Sequence, residues 1–378
     1  MSEKKRVLFA SHTANFHKFN RPLMKMFQGK LEGTYSDLNI GGWEVDYASA
    51  NEEKIFDANN VYKVDFARNP FALHKHLKAY RQLKKILAER HYDLIHTHTP
   101  VGSIICRLAA KESRKAGTKV LYTAHGFHFY KGAPLANWLL WYPLEKHFAK
   151  LCDRIILINK EDYLRAKTHF KTKASLIHGV GVDTELFGNK ISKAKKAELR
   201  KELGIDKDDF VIVYAAEFSK NKNHSFLLKS LAPLLLEHSD IKILLLGKGS
   251  QLEKTRALTK KLNISDQVLL PGYRSDMHEI FQSCDLDVSC SIREGLGLGV
   301  LEAQLCGLPI ILSNNRGHRE IVQKNTMNLY SLDDPDEFRK KVLQAYKNEK
   351  NFYIPFDQIF SLRSSLSTMR KIYLEELK

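Results

Sequence analysis

Short apolar runs rich in β-branched residues alternate with longer amphipathic stretches along most of the chain. The first set of runs is Arg6–Ala10, Trp43–Tyr47, Asp93–His96, Lys119–Thr123 and Arg154–Ile158. The second is Phe210–Tyr214, Ile241–Leu246, Val268–Leu270, Leu286–Ser289 and Pro309–Leu312. Helical periodicity fills 70–90, 101–115, 134–150, 223–237 and 335–348. Mostly apolar strands alternating with helices predict parallel sheets covered on both faces. Gly179-Val-Gly-Val-Asp183 and a Lys-rich stretch of weak periodicity at 188–208 separate the two sets. The pattern therefore predicts an α/β chain of two facing Rossmann-like domains, 1–181 and 182–355; a C-terminal helix in 356–378 is expected to pack towards the first. Sites in such sheets lie at the carboxyl ends of strands, so a ligand is expected in a cleft between the domains. Asp183 reads as a turn cap at the hinge. Residues 31–42 make too long a connection for this rhythm and read as a surface insertion, either a passive loop or a lip over the cleft.

A chain of 378 residues suits two domains better than one. No apolar run is long enough to span a bilayer, and Arg6 leads straight into a strand, so neither a spanning helix nor a signal peptide is expected. The five cysteines are scattered without zinc or CxxC spacing, which favours buried thiols in a reduced, cytoplasmic chain. The net charge of +17 is lopsided: residues 1–180 hold 30 Lys and Arg against 16 Asp and Glu. A basic first domain calls for an anionic partner: nucleic acid, lipid or a diphosphate. Nothing in the sequence reads as a helix-turn-helix, zinc-finger or RNP-like element, so nucleic acid is not expected.

The candidate chemistry concentrates in Arg293-Glu-Gly-Leu-Gly-Leu-Gly-Val-Leu-Glu302. A strand ending near Ser291, a glycine-rich turn and a helix read over Leu301–Cys306, closed by Gly307, make an anion site, because first-turn N–H groups lack acceptors. The glycines let backbone approach a ligand. Glu294 and Glu302 cannot bind phosphate and suit hydroxyl-rich ends, so the segment fits a diphosphate flanked by sugars: a nucleotide sugar.

The spaced pair Glu294 and Glu302, with Leu305-Cys-Gly-Leu-Pro309, Arg316-Gly-His-Arg-Glu320, Thr123-Ala-His-Gly126, Gly181-Val-Asp-Thr-Glu-Leu-Phe187 and Lys222-Asn223, resembles the signature of retaining GT-B glycosyltransferases of the GT4 class. Asn69-Pro70, Ile95-His-Thr-His-Thr-Pro100, the run from Thr123 to Pro134 and Ile158-Asn-Lys-Glu-Asp162 resemble the bacterial exopolysaccharide and capsule enzymes of the EpsD/EpsF type. The resemblance implies a metal-independent transferase with a nucleotide-sugar donor, a UDP-sugar by expectation. It assigns catalytic roles to His125, Glu294 and Lys222. It assigns donor binding to Glu302, Leu298, Gly299, Val300, Gly297, Arg293, Tyr273 and Arg274. Glu294 would contact the donor sugar and Glu302 the ribose diol. The backbone at 298–300, with Lys222, would take the diphosphate, and the backbone around Tyr273 the base. An arginine common in the family five residues before the lysine is replaced here by Glu217. Ser11, His12, Thr13 and Ala14 stand where a glycine pair often follows the first strand, and would line the acceptor side.

His96 and His98 at a strand end, and His125 and His128 three apart, invite a metal reading, but no carboxylate or thiol completes a set. The helix at 69–90 carries Leu73, Leu77, Tyr80, Leu83 and Leu87 at helical spacing, read as a stripe covering the sheet. Its other face carries Lys75, Lys78, Arg81, Lys84 and Lys85, and Asn137–Tyr142 adds aromatics of the sort found at membrane interfaces or in a packed core. Together they point to an enzyme resting on an anionic inner leaflet, with a polyprenyl-diphosphate-linked saccharide as acceptor. A UDP-sugar epimerase of related fold is the alternative.

Overall fold

The computed structural model describes residues 4–13, 16–51 and 57–378, so Ala14 lies outside the described residues. The chain forms two compact units, residues 1–181 with 363–378, and residues 182–362.

The first unit holds seven strands: β1 (Arg6–Ala10), β2 (Glu44–Ser49), β3 (Asn60–Lys63), β4 (Leu94–His98), β5 (Lys119–Ala124), β6 (Arg154–Leu157) and β7 (Lys173–Leu176). They lie in the order β3-β2-β1-β4-β5-β6-β7, and every pairing is parallel. The central strands are buried on both faces, as apolar runs demand. The edge strands β3 and β7 were not expected. They are polar and half-buried, so their sequences lack the run that marks the others.

The stripe predicted on the basic helix Leu73–Glu89 is corrected at its amino end. Leu83 is buried, with Tyr80 and Leu87 packed beside it, but Leu73 and Leu77 are 73% and 50% exposed. The inward face is completed by His76, Ala79 and Ile86. Trp138, Trp141 and Tyr142 of helix Leu135–Ala149 pack against the core rather than lying out as a patch, while Leu135 and Leu139 project. Below them the fully buried Arg107 guanidinium donates to the Ser103 and Phe148 carbonyls and to Glu145. The Tyr122 hydroxyl donates to the other Glu145 oxygen, so this buried charge is paired throughout.

Residues 33–38 form a 3-10 turn with Tyr35 and Leu38 buried. Asn39 closes it by bonding the Leu31 backbone in both directions. Arg363 of the C-terminal helix Leu362–Glu376 pairs with Asp37, so the loop is a packed element. That helix is fastened into the first unit by Tyr373 on His96 and by Glu376 on Arg154.

The second unit holds β8 (Phe210–Ala215), β9 (Ile241–Leu246), β10 (Val268–Gly272), β11 (Leu286–Ser289), β12 (Ile310–Ser313) and β13 (Leu329–Tyr330), in the order β10-β9-β8-β11-β12-β13. It too is parallel throughout. The short edge strand β13 was not expected. Asp183 accepts from the Glu185 and Leu186 N–H groups and caps a short helix, as a turn-capping aspartate should.

Candidate active site

In the second unit, the loops after β8 and β11 are laced together. Asn221 accepts from Ile292 N–H through its carbonyl and donates its amide to the Arg293 carbonyl at 2.9 Å. The Tyr214 hydroxyl donates to the Lys222 carbonyl at 2.8 Å and lies 2.9 Å from Ser291 Oγ. These bonds deliver Lys222 to Glu294, and the ammonium donates to Glu294 Oε1. Burial alone would raise the Glu294 carboxyl. Burial is the largest single influence, but the Lys222 charge, His318 and hydrogen bonds from Lys222 and Ser291 together outweigh it, and the group falls below the usual carboxylate range.

Gly297 follows at φ +111, a conformation only glycine takes without strain, and begins helix Leu298–Leu305. The helix starts at Leu298 rather than nearer Leu301, so the N–H groups of Leu298, Gly299 and Val300 belong to its first turn. Glu302 lies within the helix and is half-buried. Asp287 on β11 is buried, and desolvation first, then the Glu302 charge, pushes its carboxyl well above the usual range.

Helix Arg316–Val322 closes the other flank. A Cβ on Gly317 would lie 2.8 Å from both Glu294 Cβ and the Leu296 carbonyl, so glycine is obligatory there for Glu294 to keep its place. His318 donates Nδ1–H to the Ser313 carbonyl at 2.7 Å. Its Nε2 is buried without a partner among the described residues, close to the space beside Gly297. The Arg316–Glu320 motif does not by itself give His318 a role; only the fold brings it to Glu294.

The remaining donor-side candidates are less converged. Arg274 is spent on Asp276, at 2.9 and 2.5 Å, and on Glu202 at 2.6 Å. Its guanidinium is therefore engaged by two carboxylates. Tyr273 is 60% exposed, with the Lys248 ammonium 5.3 Å from its ring centre. Arg293 is half-buried, while Glu217 and Lys220 are exposed.

The first unit gathers a different cluster at the carboxyl ends of β1, β4 and β5. Parallel register places His98 beside Thr123, and His125 follows two residues later. His98 Nδ1 and His125 Nε2 are 3.1 Å apart. His96 bridges Tyr373 Oη at 2.7 Å and Thr123 Oγ1 at 2.8 Å. Burial pushes His96 down to about 3 and His125 to about 4, and His98 well below its ordinary value. All three are neutral imidazoles at physiological pH. Phe16 packs edge-on to His125 at 4.8 Å, and Phe9 stacks on His98. A cavity of about 20 Å³, room for a single water, is lined by His98, Thr123, His125, Asn20 and Ser365 among others.

The loop at His125 is held from behind: Asp162 accepts from Phe127 N–H at 2.9 Å and is oriented by Asn159. This explains the Asn159–Asp162 pattern as support for the histidine loop. Ser11 is fully buried and bonds the Tyr47 hydroxyl and the Thr13 carbonyl, so its role is to shape the turn. His12 and Thr13 remain half-exposed. Thr99 is a non-glycine residue at φ +68 immediately after His98, strained backbone of the kind that concentrates at functional sites. His128 turns away and stacks on Trp141. Among the described residues, no group of three or more His, Cys, Asp or Glu is arranged to hold a metal ion.

Comparison with known proteins bears on the same segments. Residues 38–186 match the family model Glycosyltransferase Family 4, and residues 195–354 match Glycosyl transferases group 1. The chain is 40% identical over 347 residues to the putative glycosyltransferase EpsD of Bacillus subtilis, covering 90% of this chain and 87% of that one. It is 32% identical over 277 residues to the UDP-Gal:alpha-D-GlcNAc-diphosphoundecaprenol alpha-1,3-galactosyltransferase of Escherichia coli, covering 71% and 70% of the two. Among solved structures, HepE of Anabaena in complex with UDP and glucose matches with a TM-score of 0.76 at 17% identity, covering 98% of this chain and 100% of that one. That identity speaks for the fold alone. With two parallel Rossmann-like sheets and a relative this similar along most of its length, the chain belongs to the GT4-type glycosyltransferases of GT-B fold.

Proposed function

We propose that the chain transfers a sugar, with retention of anomeric configuration, from a UDP-sugar to a polyprenyl-diphosphate-linked saccharide in exopolysaccharide or capsule synthesis. The observation that carries the donor half is the Lys222–Glu294 pair at the entrance to a glycine-led helix. An ammonium and first-turn N–H groups suit a diphosphate, and a carboxylate suits sugar hydroxyls. Glu294 holds the donor sugar and Glu302 the ribose. Lys222 stabilises the charge that builds on the departing nucleotide, the kind of electrostatic contribution that dominates many enzymes. In this front-face reading the leaving phosphate accepts the acceptor's proton, and His125 contacts substrate as a neutral group. The lipid-linked acceptor is supported by the Escherichia coli relative, whose name specifies a diphosphoundecaprenol acceptor.

Membrane association is part of the proposal. No helix among the described residues is long and apolar enough to cross a membrane. Phe71, Leu73 and Leu77 are exposed beside the cations Lys75, Lys78 and Arg81, a pairing suited to an anionic inner leaflet. Co-sedimentation with phosphatidylglycerol vesicles, lost in Phe71→Ser/Leu73→Ser, tests it; equal binding of neutral vesicles would contradict it.

The transfer is tested by incubating the chain with a panel of UDP-sugars and an undecaprenyl-diphosphate-linked acceptor, then following glycolipid by mass. A new lipid-linked product supports the proposal. An isomerised UDP-sugar formed without acceptor would favour the epimerase reading instead.

A further inference from the structure

His98 is buried on all sides, and its two ring nitrogens have different fates. Nδ1 faces His125 Nε2 at 3.1 Å, while Nε2 is closed to solvent and has no partner among the described residues. The imidazole ring lies against Phe9, stacked at 6.4 Å, Phe16 at 6.1 Å, His125 at 5.4 Å and His96 at 4.3 Å. A neutral imidazole carries one N–H, and the hydrogen bond made by one nitrogen determines which nitrogen holds the proton. Placing the proton on Nε2 would bury an N–H that no described residue accepts, the rarer and costlier kind of orphan. Placing it on Nδ1 directs it onto His125.

We propose that His98 donates Nδ1–H to His125 Nε2 and so fixes His125 as the Nδ1–H tautomer, making His125 a hydrogen-bond donor towards substrate and not a proton acceptor. His98 is thus a positioning residue for the transfer. The direction is set by the 3.1 Å approach of Nδ1 to His125 and by the lack of any acceptor for His98 Nε2 among the described residues, and Thr99 keeps the strand end in its strained turn beside it. The inference rests on reading His125 as a substrate-contacting group. The pattern His96-Thr-His98 marks a pair of histidines on one strand face, but only the register of β4 on β5 reveals that the second faces His125.

The test uses the full chain labelled with [15N]histidine, with His125 assigned by the signal lost in His125→Gln. Long-range proton–nitrogen correlation is expected to show His125 protonated at Nδ1, with an acceptor-type Nε2, in the wild type. In parallel, His98→Asn, which returns an amide N–H near the Nδ1 position, should keep kcat within about threefold. His98→Leu should lower kcat about 10- to 100-fold, the scale seen when a supporting partner of a functional histidine is removed, with the donor KM unchanged. His125 protonated at Nε2 in the wild type, or equal kcat in His98→Leu and wild type, would overturn the proposal. Near-normal turnover in His125→Ala would instead remove the underlying reading of His125, while the tautomer measurement would still stand by itself.

Discussion

The two units build their strand-end clusters from opposite materials. In the second unit a full positive charge meets a full negative one, Lys222 on Glu294, beside a helix start. In the first unit three histidines are held neutral by burial and touch one another and hydroxyls. A charged cluster fits a ligand that is itself charged, such as a diphosphate. A neutral cluster fits hydroxyl groups, which need directed hydrogen bonds and gain nothing from a formal charge. The same sheet architecture thus supports two kinds of recognition, and the choice is made in the loops.

The sharpest way to break this contrast is to remove the acid. Glu294→Ala leaves Lys222 without its partner and the sugar hydroxyls without an acceptor, and is expected to lower kcat/KM by about 10³-fold with the fold retained by circular dichroism. A loss below tenfold would detach Glu294 from the chemistry. Gly317→Ala comes next: its new methyl would collide with Glu294 Cβ and the Leu296 carbonyl, each 2.8 Å away. A displacement of about an ångström at such a site costs on the order of 10²-fold in turnover. Wild-type kinetics in that variant would show that Glu294 need not be held where it is. Arg274→Ala should cost less than about threefold in donor KM, because its guanidinium is already consumed by Asp276 and Glu202 and a rim ion pair is worth little. A larger effect would mean those pairs open for the ligand.

The smallest effect is on stability against pH. His125, pushed down to about 4, stays unprotonated in the folded chain while the unfolded chain takes up a proton below its ordinary value near 6.5. Protons bind the unfolded state in excess between those values, so stability falls as pH falls through that window. The second unit adds His224 and His318, each pushed to about 4. Glu294 behaves otherwise: its carboxyl is depressed, so its contribution is complete above the ordinary carboxylate range and is lost only on further acidification. Melting followed from pH 7 to 4.5 should show Tm falling, and His98→Leu should reduce that fall by a few degrees. An unchanged pH slope would contradict the burial account of the first cluster.

The central strands were legible because apolar runs long enough to be buried twice over have few other uses. The edge strands β3, β7 and β13 were not, since a half-buried polar strand reads like a loop. The glycine-led helix was legible from its spacing, although it begins at Leu298 rather than nearer Leu301. The basic helix misled at its start, where Leu73 and Leu77 keep helical spacing yet face outward. Periodicity finds an apolar face but does not say how far along it the core extends. The pairings Lys222 with Glu294 and His98 with His125 join residues 72 and 27 positions apart, and only parallel strand register brings them together. Arg274 looked free in sequence because its carboxylate partners, Asp276 nearby and Glu202 far off, gave no pattern of their own.

The division of labour itself is open to one direct measurement, calorimetric titration of UDP into the wild type, Lys222→Ala and His125→Gln. A charged cluster that holds the diphosphate predicts UDP affinity reduced at least tenfold in Lys222→Ala and unchanged in His125→Gln. Equal affinity in wild type and Lys222→Ala, or a loss confined to His125→Gln, would contradict it.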